Sequence, residues 1–286
     1  MTLLALAVSG LGAVDPDQPV LHADDLALLR GQAAFETLRV YAGKPFQWKA
    51  HLARLASSAE RIGLPELDGD AFHSLAREAL AAAGSADCVL RLYWTGGRES
   101  TGRPTGLVLV SAIPDDLEER RQRGIRLISL QLALDSRQRA ASPWLLAGVK
   151  STSYAVNMAA ESEARRRGAD DAVFLSTEGL VLEGPVTNVW WRKGSTLFTP
   201  SLDLGILAGV TRSEVLRLAR EAGYAVEEGR YPIDAMRGAE ETFTSSSVRE
   251  IMPVVALDGH PVGDGTPGQA AATVQQALRH AASESG

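Results

Sequence analysis

Apolar segments of strand length alternate with helical repeats along the chain, and a charged stretch at residues 113–124 breaks the alternation once. Before the break, strands are expected at 35–41, 88–94 and 107–112, and the apolar N-terminal run reads as a further strand. Helices are expected at 51–62, where Leu52, Leu55, Ala59 and Ile62 recur at helical spacing, and at 71–83. After it, strands are expected at 125–130, 172–176, 187–192, 196–198 and 241–244. Helices are expected there at 152–167, 211–222 and 269–282, the first stopped by Gly168. Strands and helices mixed in both halves specify an α/β or α+β chain. At about 100–200 residues per domain, 286 residues favour two domains. Pro114 and the charge run suit an exposed boundary. The expected organisation is a domain over 1–112, a linker over 113–124 and a second domain over 125–286.

Composition removes several function classes. A net charge of −6 gives no support to nucleic-acid binding, which wants a basic face. The single cysteine, Cys88, excludes an intramolecular disulfide framework and a cysteine-rich zinc site. The five histidines are scattered, so no metal is expected. No apolar run approaches the 18 or so residues of a membrane span. The N-terminal run lacks a positively charged flank, so it is not read as a signal peptide. A soluble, cytoplasmic protein is expected.

The cations are more pointed. The chain has 25 arginines and only 4 lysines: Lys44, Lys49, Lys150 and Lys193. Arginine serves any solvated surface but cannot act where an amine must lose its proton and attack. Three of the lysines sit in polar or turn sequence. Lys150 instead follows the apolar run Trp144-Leu145-Leu146-Ala147-Gly148-Val149 and precedes Ser151-Thr152-Ser153-Tyr154.

Other motifs gain meaning beside it. Gly263-Asp264-Gly265-Thr266-Pro267-Gly268 matches a dinucleotide fingerprint by letter, but only 18 residues follow, too few for the required βαβ unit. Leu207-Ala208-Gly209-Val210-Thr211-Arg212-Ser213-Glu214 ends in a Thr-x-x-Glu capping box before an apolar helical repeat. A helix starting there would present free amides and a hydroxyl to a phosphate. Thr244-Ser245-Ser246-Ser247 supplies a second hydroxyl cluster, and Glu183 is an acid between apolar strand and glycine. Each feature alone has an ordinary structural reading. A nucleophilic lysine, an acid and a phosphate cup together describe the needs of pyridoxal 5'-phosphate.

At this point the chain resembles the fold-type IV pyridoxal-phosphate enzymes, the class IV aminotransferases. The resemblance rests on Phe35-Glu36-Thr37-Leu38-Arg39-Val40-Tyr41, His51-Leu52-Ala53-Arg54-Leu55, and Val149-Lys150-Ser151 with Tyr154 and Asn157. It continues through Glu183 with Asn188, and Gly205-Ile206-Leu207 with Gly209-Val210-Thr211-Arg212. It implies a two-domain fold with a smaller N-terminal α/β domain, a larger C-terminal pseudo-barrel domain and the cofactor at the domain interface. It implies that Lys150 forms the Schiff base and delivers the proton, that Glu183 pairs with the pyridine nitrogen, and that Tyr154 stands near the phenolic oxygen. Arg54, Val210, Thr211 and Ser247 are implied to bind the phosphate. A homodimer is implied as well, to which the Trp48 and Trp94 segments add exposed-looking aromatic sequence.

The members of this family differ in chemistry. Transfer of an amino group from a D-amino acid or (R)-amine to a 2-oxo acid is the leading expectation, with aminodeoxychorismate lyase as the alternative. The Phe35-Glu36-Thr37 start departs from the Phe-Glu-Gly of branched-chain aminotransferases, and a non-catalytic relative conflicts with the intact lysine and acid. The substrate carboxylate needs a cation. Arg91, which interrupts an apolar strand, is the first candidate, with Arg98 and Arg103 following; a structural pairing of Arg91 with Glu36 is the other reading. Thr37 is a candidate proton donor for the lyase.

Overall fold

The computed structural model describes residues 2–284 and divides into two compact units. The first takes the chain as far as Pro114, regains it for Val149–Tyr154 and takes the chain end from Ala282. The second takes Asp115–Gly148 and Ala155–Ala281.

The first unit contains β1 (Leu3–Val8), β2 (Gly12–Val14), α1 (Leu26–Arg30), β3 (Ala33–Tyr41), β4 (Lys44–Pro45), α2 (Trp48–Arg61), α3 (Gly69–Ala83), β5 (Cys88–Thr95) and β6 (Gly106–Ser111). The strands form one sheet in the order β2-β1-β6-β5-β3-β4, with every neighbouring pair antiparallel. Side chains alternate across it. Leu38, Val40, Leu90, Leu92, Val108 and Val110 point to one face, where they pack on Leu55 and Ala59 of α2 and Phe72, Leu75, Ala76 and Ala79 of α3. Burying each large aliphatic side chain contributes about 1.5–3 kcal/mol, so this face holds the unit together. Phe35, Thr37 and Arg39 point to the opposite face, opposite Tyr93, Arg91 and Val89 in register. Asp68 caps α3 by accepting from the amides of Asp70 and Ala71, and Gly84 ends it in the left-handed conformation.

The second unit contains α4 (Leu117–Arg123), β7 (Ile125–Gln131), α5 (Ser136–Ala141), α6 (Ala155–Arg166), β8 (Asp171–Leu175), β9 (Asn188–Lys193), β10 (Thr196–Pro200), α7 (Val210–Glu221), β11 (Ala225–Gly229), α8 (Ile233–Arg237), β12 (Glu241–Ser246), β13 (Glu250–Leu257), β14 (His260–Pro261) and most of α9 (Gln269–Glu284). Its sheet runs β11-β10-β9-β12-β13-β7-β8, with β14 against β13. The β10–β11, β13–β7 and β7–β8 pairs are parallel and the rest antiparallel.

Three expectations are corrected. The stretch 113–124 is a linker only at its start, because Leu117–Arg123 is helix α4 and Leu117 is buried. Arg121 of that helix donates to the carbonyls of Arg249 and Ile251 and to Glu250, tying α4 into the second unit. The helix expected at 152–167 begins only at Ala155, since the backbone before it is hydrogen-bonded to β3. Trp48 and Trp94 pack against the first unit's core, and Trp94 Nε1 donates to the Pro65 carbonyl at 2.7 Å. The widely exposed tryptophan is Trp144, at 78%. Among the described residues, no helix is long and apolar enough to cross a membrane.

Candidate active site

Lys150 is held by a backbone strap paired with β3. The Phe35 amide donates to the Lys150 carbonyl at 3.0 Å, the Thr152 amide donates to the Ala33 carbonyl at 2.9 Å, and Ser151 bridges Ala34 antiparallel. The Thr152 hydroxyl adds a bond to the Gly31 carbonyl at 2.9 Å, and the Lys150 amide donates to Ser58 Oγ at 3.2 Å. The half-buried side chain places Nζ 4.3 Å from the centre of the Phe35 ring and 3.5 Å from the Tyr154 hydroxyl. Phe35 stacks on Tyr93 and meets Tyr154 edge-on. Lys44, Lys49 and Lys193 are all exposed.

On the same face, one two-residue step along the strands, Thr37 stands opposite Arg91. That step is about 7 Å. Arg91 Nη1 donates to Ser111 Oγ at 2.7 Å, and among the described residues no carboxylate lies within ion-pair distance of it. Burial pulls its pKa below the usual arginine value. A half-buried guanidinium without an acid is costly, which makes it a ready partner for an incoming carboxylate. Arg98 is different. Its Nε donates to both oxygens of Asp24, at 2.9 and 3.2 Å, and that hydrogen bond leads in holding the Asp24 carboxyl down to about 2.

Arg54, on α2, lies on the helix-packed side of the sheet. Its Nε and Nη2 donate to the two oxygens of Glu36 at 2.7 and 2.8 Å, a bidentate pair. His51 Nδ1 adds a bond to Glu36 Oε2 at 2.7 Å. Glu36 therefore pairs with Arg54 and His51, and the alternative pairing with Arg91 is overturned: residues 36 and 91 point to opposite faces. Burial would raise the Glu36 carboxyl, but the bonds from Arg54 and His51 outweigh it and hold the carboxyl at about 2. Burial, with the positive charges of Arg54 and Lys150 adding to it, lowers His51, so the imidazole is neutral and donates through Nδ1–H.

In the second unit, Glu183 lies between β8 and β9, its carbonyl accepting from the Phe174 amide at 2.8 Å. Its carboxylate accepts from Arg139 Nη2 at 3.2 Å and from the Leu207 amide at 2.9 Å. Asn188 Nδ2 donates to the Leu207 carbonyl at 3.0 Å, so residue 207 is gripped at both ends. Two residues later Gly209 takes the N-cap position of α7, where a Cβ would collide with Asn188 Oδ1. The cap makes no side-chain hydrogen bond, and Thr211 is the second residue inside the helix rather than its cap. The capping-box reading is thereby corrected. The uncapped first-turn amides of Val210 and Thr211 are the groups that an anion at a helix N-terminus meets. Ser247 lies in the turn between β12 and β13.

Sequence reasoning missed Arg139, Glu36 and His51 as parts of these clusters. Arg139 sits in Ser136-Arg137-Gln138-Arg139-Ala140-Ala141, where nothing separates it from the solvated Arg137. The Glu36 cluster had a signal: an acid amid an alternating strand needs a cation, and the helix pattern at His51 and Arg54 places both on one face, three residues apart.

Residues 33–257 match the family described as amino-transferase class IV. A bifunctional aminodeoxychorismate lyase / D-amino acid transaminase of Mycobacterium tuberculosis is 36% identical over 256 residues, covering 86% of this chain and 89% of that protein. A D-alanine aminotransferase of Bacillus licheniformis is 30% identical, with 87% of each chain covered. A solved structure titled a hypothetical aminotransferase from Mycobacterium tuberculosis, PLP-bound form, superposes with a TM-score of 0.92 at 33% identity, covering 99% of each chain. With the family match spanning most of both units and these relatives aligned along nearly their whole length, the chain belongs to the class IV aminotransferases, which are pyridoxal-phosphate-dependent enzymes.

Proposed function

We propose that this enzyme transfers an amino group from a D-amino acid to a 2-oxo acid. The observation that carries the reading is Arg91: a half-buried guanidinium with no acid partner among the described residues, on the sheet face that bears Phe35 beneath Lys150. It favours donors with a carboxylate, and D-amino acids over (R)-amines. The name of the Bacillus licheniformis relative supports the same choice, and that of the Mycobacterium tuberculosis relative carries both this activity and the lyase.

The residues present fit the cofactor. Arg139 Nη1 is buried without a hydrogen-bond partner beside the Glu183 carboxylate, and α7 begins with amides that no side chain caps. In this reading Val210, Thr211, Ser247 and Arg54 hold the phosphate, Glu183 faces the pyridine nitrogen and Tyr154 the phenolic oxygen. Pyridoxal phosphate, when bound, supplies an electrophilic carbon and an electron-withdrawing ring that acidify the donor's Cα–H. The strap on β3 fixes the Lys150 backbone, and the Phe35 and Tyr154 rings screen Nζ from water. Nζ would then take the proton from the donor's Cα and deliver it to the cofactor's carbon, and in the second half-reaction would move a proton the opposite way, onto the acceptor's carbon. Glu183, oriented by Arg139 and the Leu207 amide, holds a proton on the ring nitrogen. Arg91 orients the substrate through its carboxylate.

A second reading has one observation in its favour. Thr37 stands opposite Arg91 on the face that bears Phe35, where a hydroxyl can hand a proton to a leaving pyruvate, as an aminodeoxychorismate lyase requires. Single half-reactions followed by absorbance decide between them. Conversion by D-alanine or D-glutamate, with little response to L-leucine or (R)-1-phenylethylamine, supports the first. Catalytic pyruvate release from aminodeoxychorismate without an acceptor supports the lyase. The homodimer and the cytoplasmic location belong to the same reading, and sedimentation at assay concentration checks the former.

A further inference from the structure

Glu36 and the neutral His51 form a buried polar cluster that the reaction itself does not use. Glu36 is fully buried and His51 is 2% exposed. Both oxygens of Glu36 are spent on Arg54, one on Nε and one on Nη2. That fork fixes the plane of the guanidinium as well as its distance, which a single bond would leave free to swing. Glu36 is fixed in turn from two sides. Its backbone lies in β3, paired with Leu92 of β5, and its Oε2 accepts from His51 Nδ1, one turn before Arg54 on the same helix. A buried ion pair gains little net stability against well-packed apolar residues of the same volume, so stability is a weak reason for this one.

We propose that Glu36, steadied by His51, is the positioning residue that sets the guanidinium of Arg54 for the cofactor's phosphate. The inference rests on the reading that Arg54 binds that phosphate. The same strand carries Phe35 and Thr37 on its other face, so β3 aims the phosphate arginine with one side and lines the Lys150 platform with the other.

The test compares two ligands that differ only in the phosphate. Apoenzyme is titrated with pyridoxal 5'-phosphate and with pyridoxal, and the dissociation constant of pyridoxal divided by that of pyridoxal 5'-phosphate measures the grip on phosphate. Glu36→Gln is expected to lower that ratio at least tenfold, with pyridoxal affinity held within threefold. Arg54→Lys, run beside it, must lower the ratio too. If Arg54→Lys leaves the ratio at the wild-type value, the phosphate reading of Arg54 fails and the inference falls with it. If Arg54→Lys lowers it and Glu36→Gln does not, Glu36 is a structural partner only. Should Glu36→Gln not fold, Glu36→Asp keeps the charge but shortens the reach by one methylene. It is expected to lower the ratio as well, and a wild-type ratio in that variant overturns the proposal.

Discussion

Replacing Arg91 with methionine separates recognition from architecture. The native guanidinium gives Ser111 one hydrogen bond, at 2.7 Å, and has no acid to neutralise it. Arg91→Met removes a charged bond to a hydroxyl, worth about 1.5–3 kcal/mol, and strands the fully buried Ser111 side chain. It also abolishes the cost of holding a guanidinium half out of water, a penalty of several kcal/mol per ion at full burial. The two effects oppose each other at similar size, so the Tm should move by less than about 5 °C. Substrate binding has no such compensation. Loss of a charge-assisted bond to the donor carboxylate costs about 1.5–3 kcal/mol, or roughly tenfold to 150-fold. Half-reactions with D-alanine and with (R)-1-phenylethylamine, which has no carboxylate, give the readout. KM for D-alanine should rise by that factor while the wild type's slow conversion of the amine is nearly unaffected. A variant that melts far below the wild type and handles both donors equally poorly would refute the reasoning, because Arg91 would then be serving the sheet.

Three further outcomes are expected. Glu183→Gln should keep its place beside Arg139 and Leu207 but cease to hold a proton on the ring nitrogen, so turnover should fall by orders of magnitude more than cofactor affinity, read by rapid-scan absorbance and equilibrium titration. The Glu36 carboxyl is depressed from 4.5 to about 2 on folding, so its stabilisation is complete above pH 4.5 and is lost as pH falls towards 2; acid unfolding of Glu36→Gln should depend less steeply on pH, and an unchanged slope would count against the buried pair. Gly209→Ala meets Asn188 Oδ1 and must displace it, loosening residue 207 and the start of α7; weaker pyridoxal phosphate binding with pyridoxal unaffected is the expected titration result.

Local patterns carried much of this molecule. β3 alternates along most of its length because one face is packed against α2 and α3, and the boundaries of β3 and β5 were legible to within two residues. Lys150 stood out because lysine is scarce here, a compositional accident that made a chemical choice visible. Helix α4 was hidden because its charged residues serve ion pairs rather than an apolar stripe, Arg121 reaching Glu250 some 129 residues away. The late start of α6 was equally hidden, since propensity cannot know that Ser151 and Thr152 are claimed by β3. The capping box misled for a related reason. Thr-x-x-Glu describes local bonding, whereas the start of α7 is set by the grip of Glu183 and Asn188 on residue 207. Trp48 and Trp94 looked exposed in sequence because their partners, His73 and Phe72, come from α3.

The strap that carries Lys150 also imposes an order on biosynthesis. The first unit's main segment ends at Pro114, but β3 receives its last partner only when Val149–Tyr154 has been made, 40 residues later (154 − 114). At ribosomal speeds of about 5–20 residues per second, that interval is roughly 2–8 s. Throughout it the Ala33–Phe35 edge offers unpaired amides and carbonyls, the kind of template on which nascent chains mispair. Slower translation through residues 115–148 lengthens the window, so slower codons there are expected to lower the yield of correctly folded enzyme.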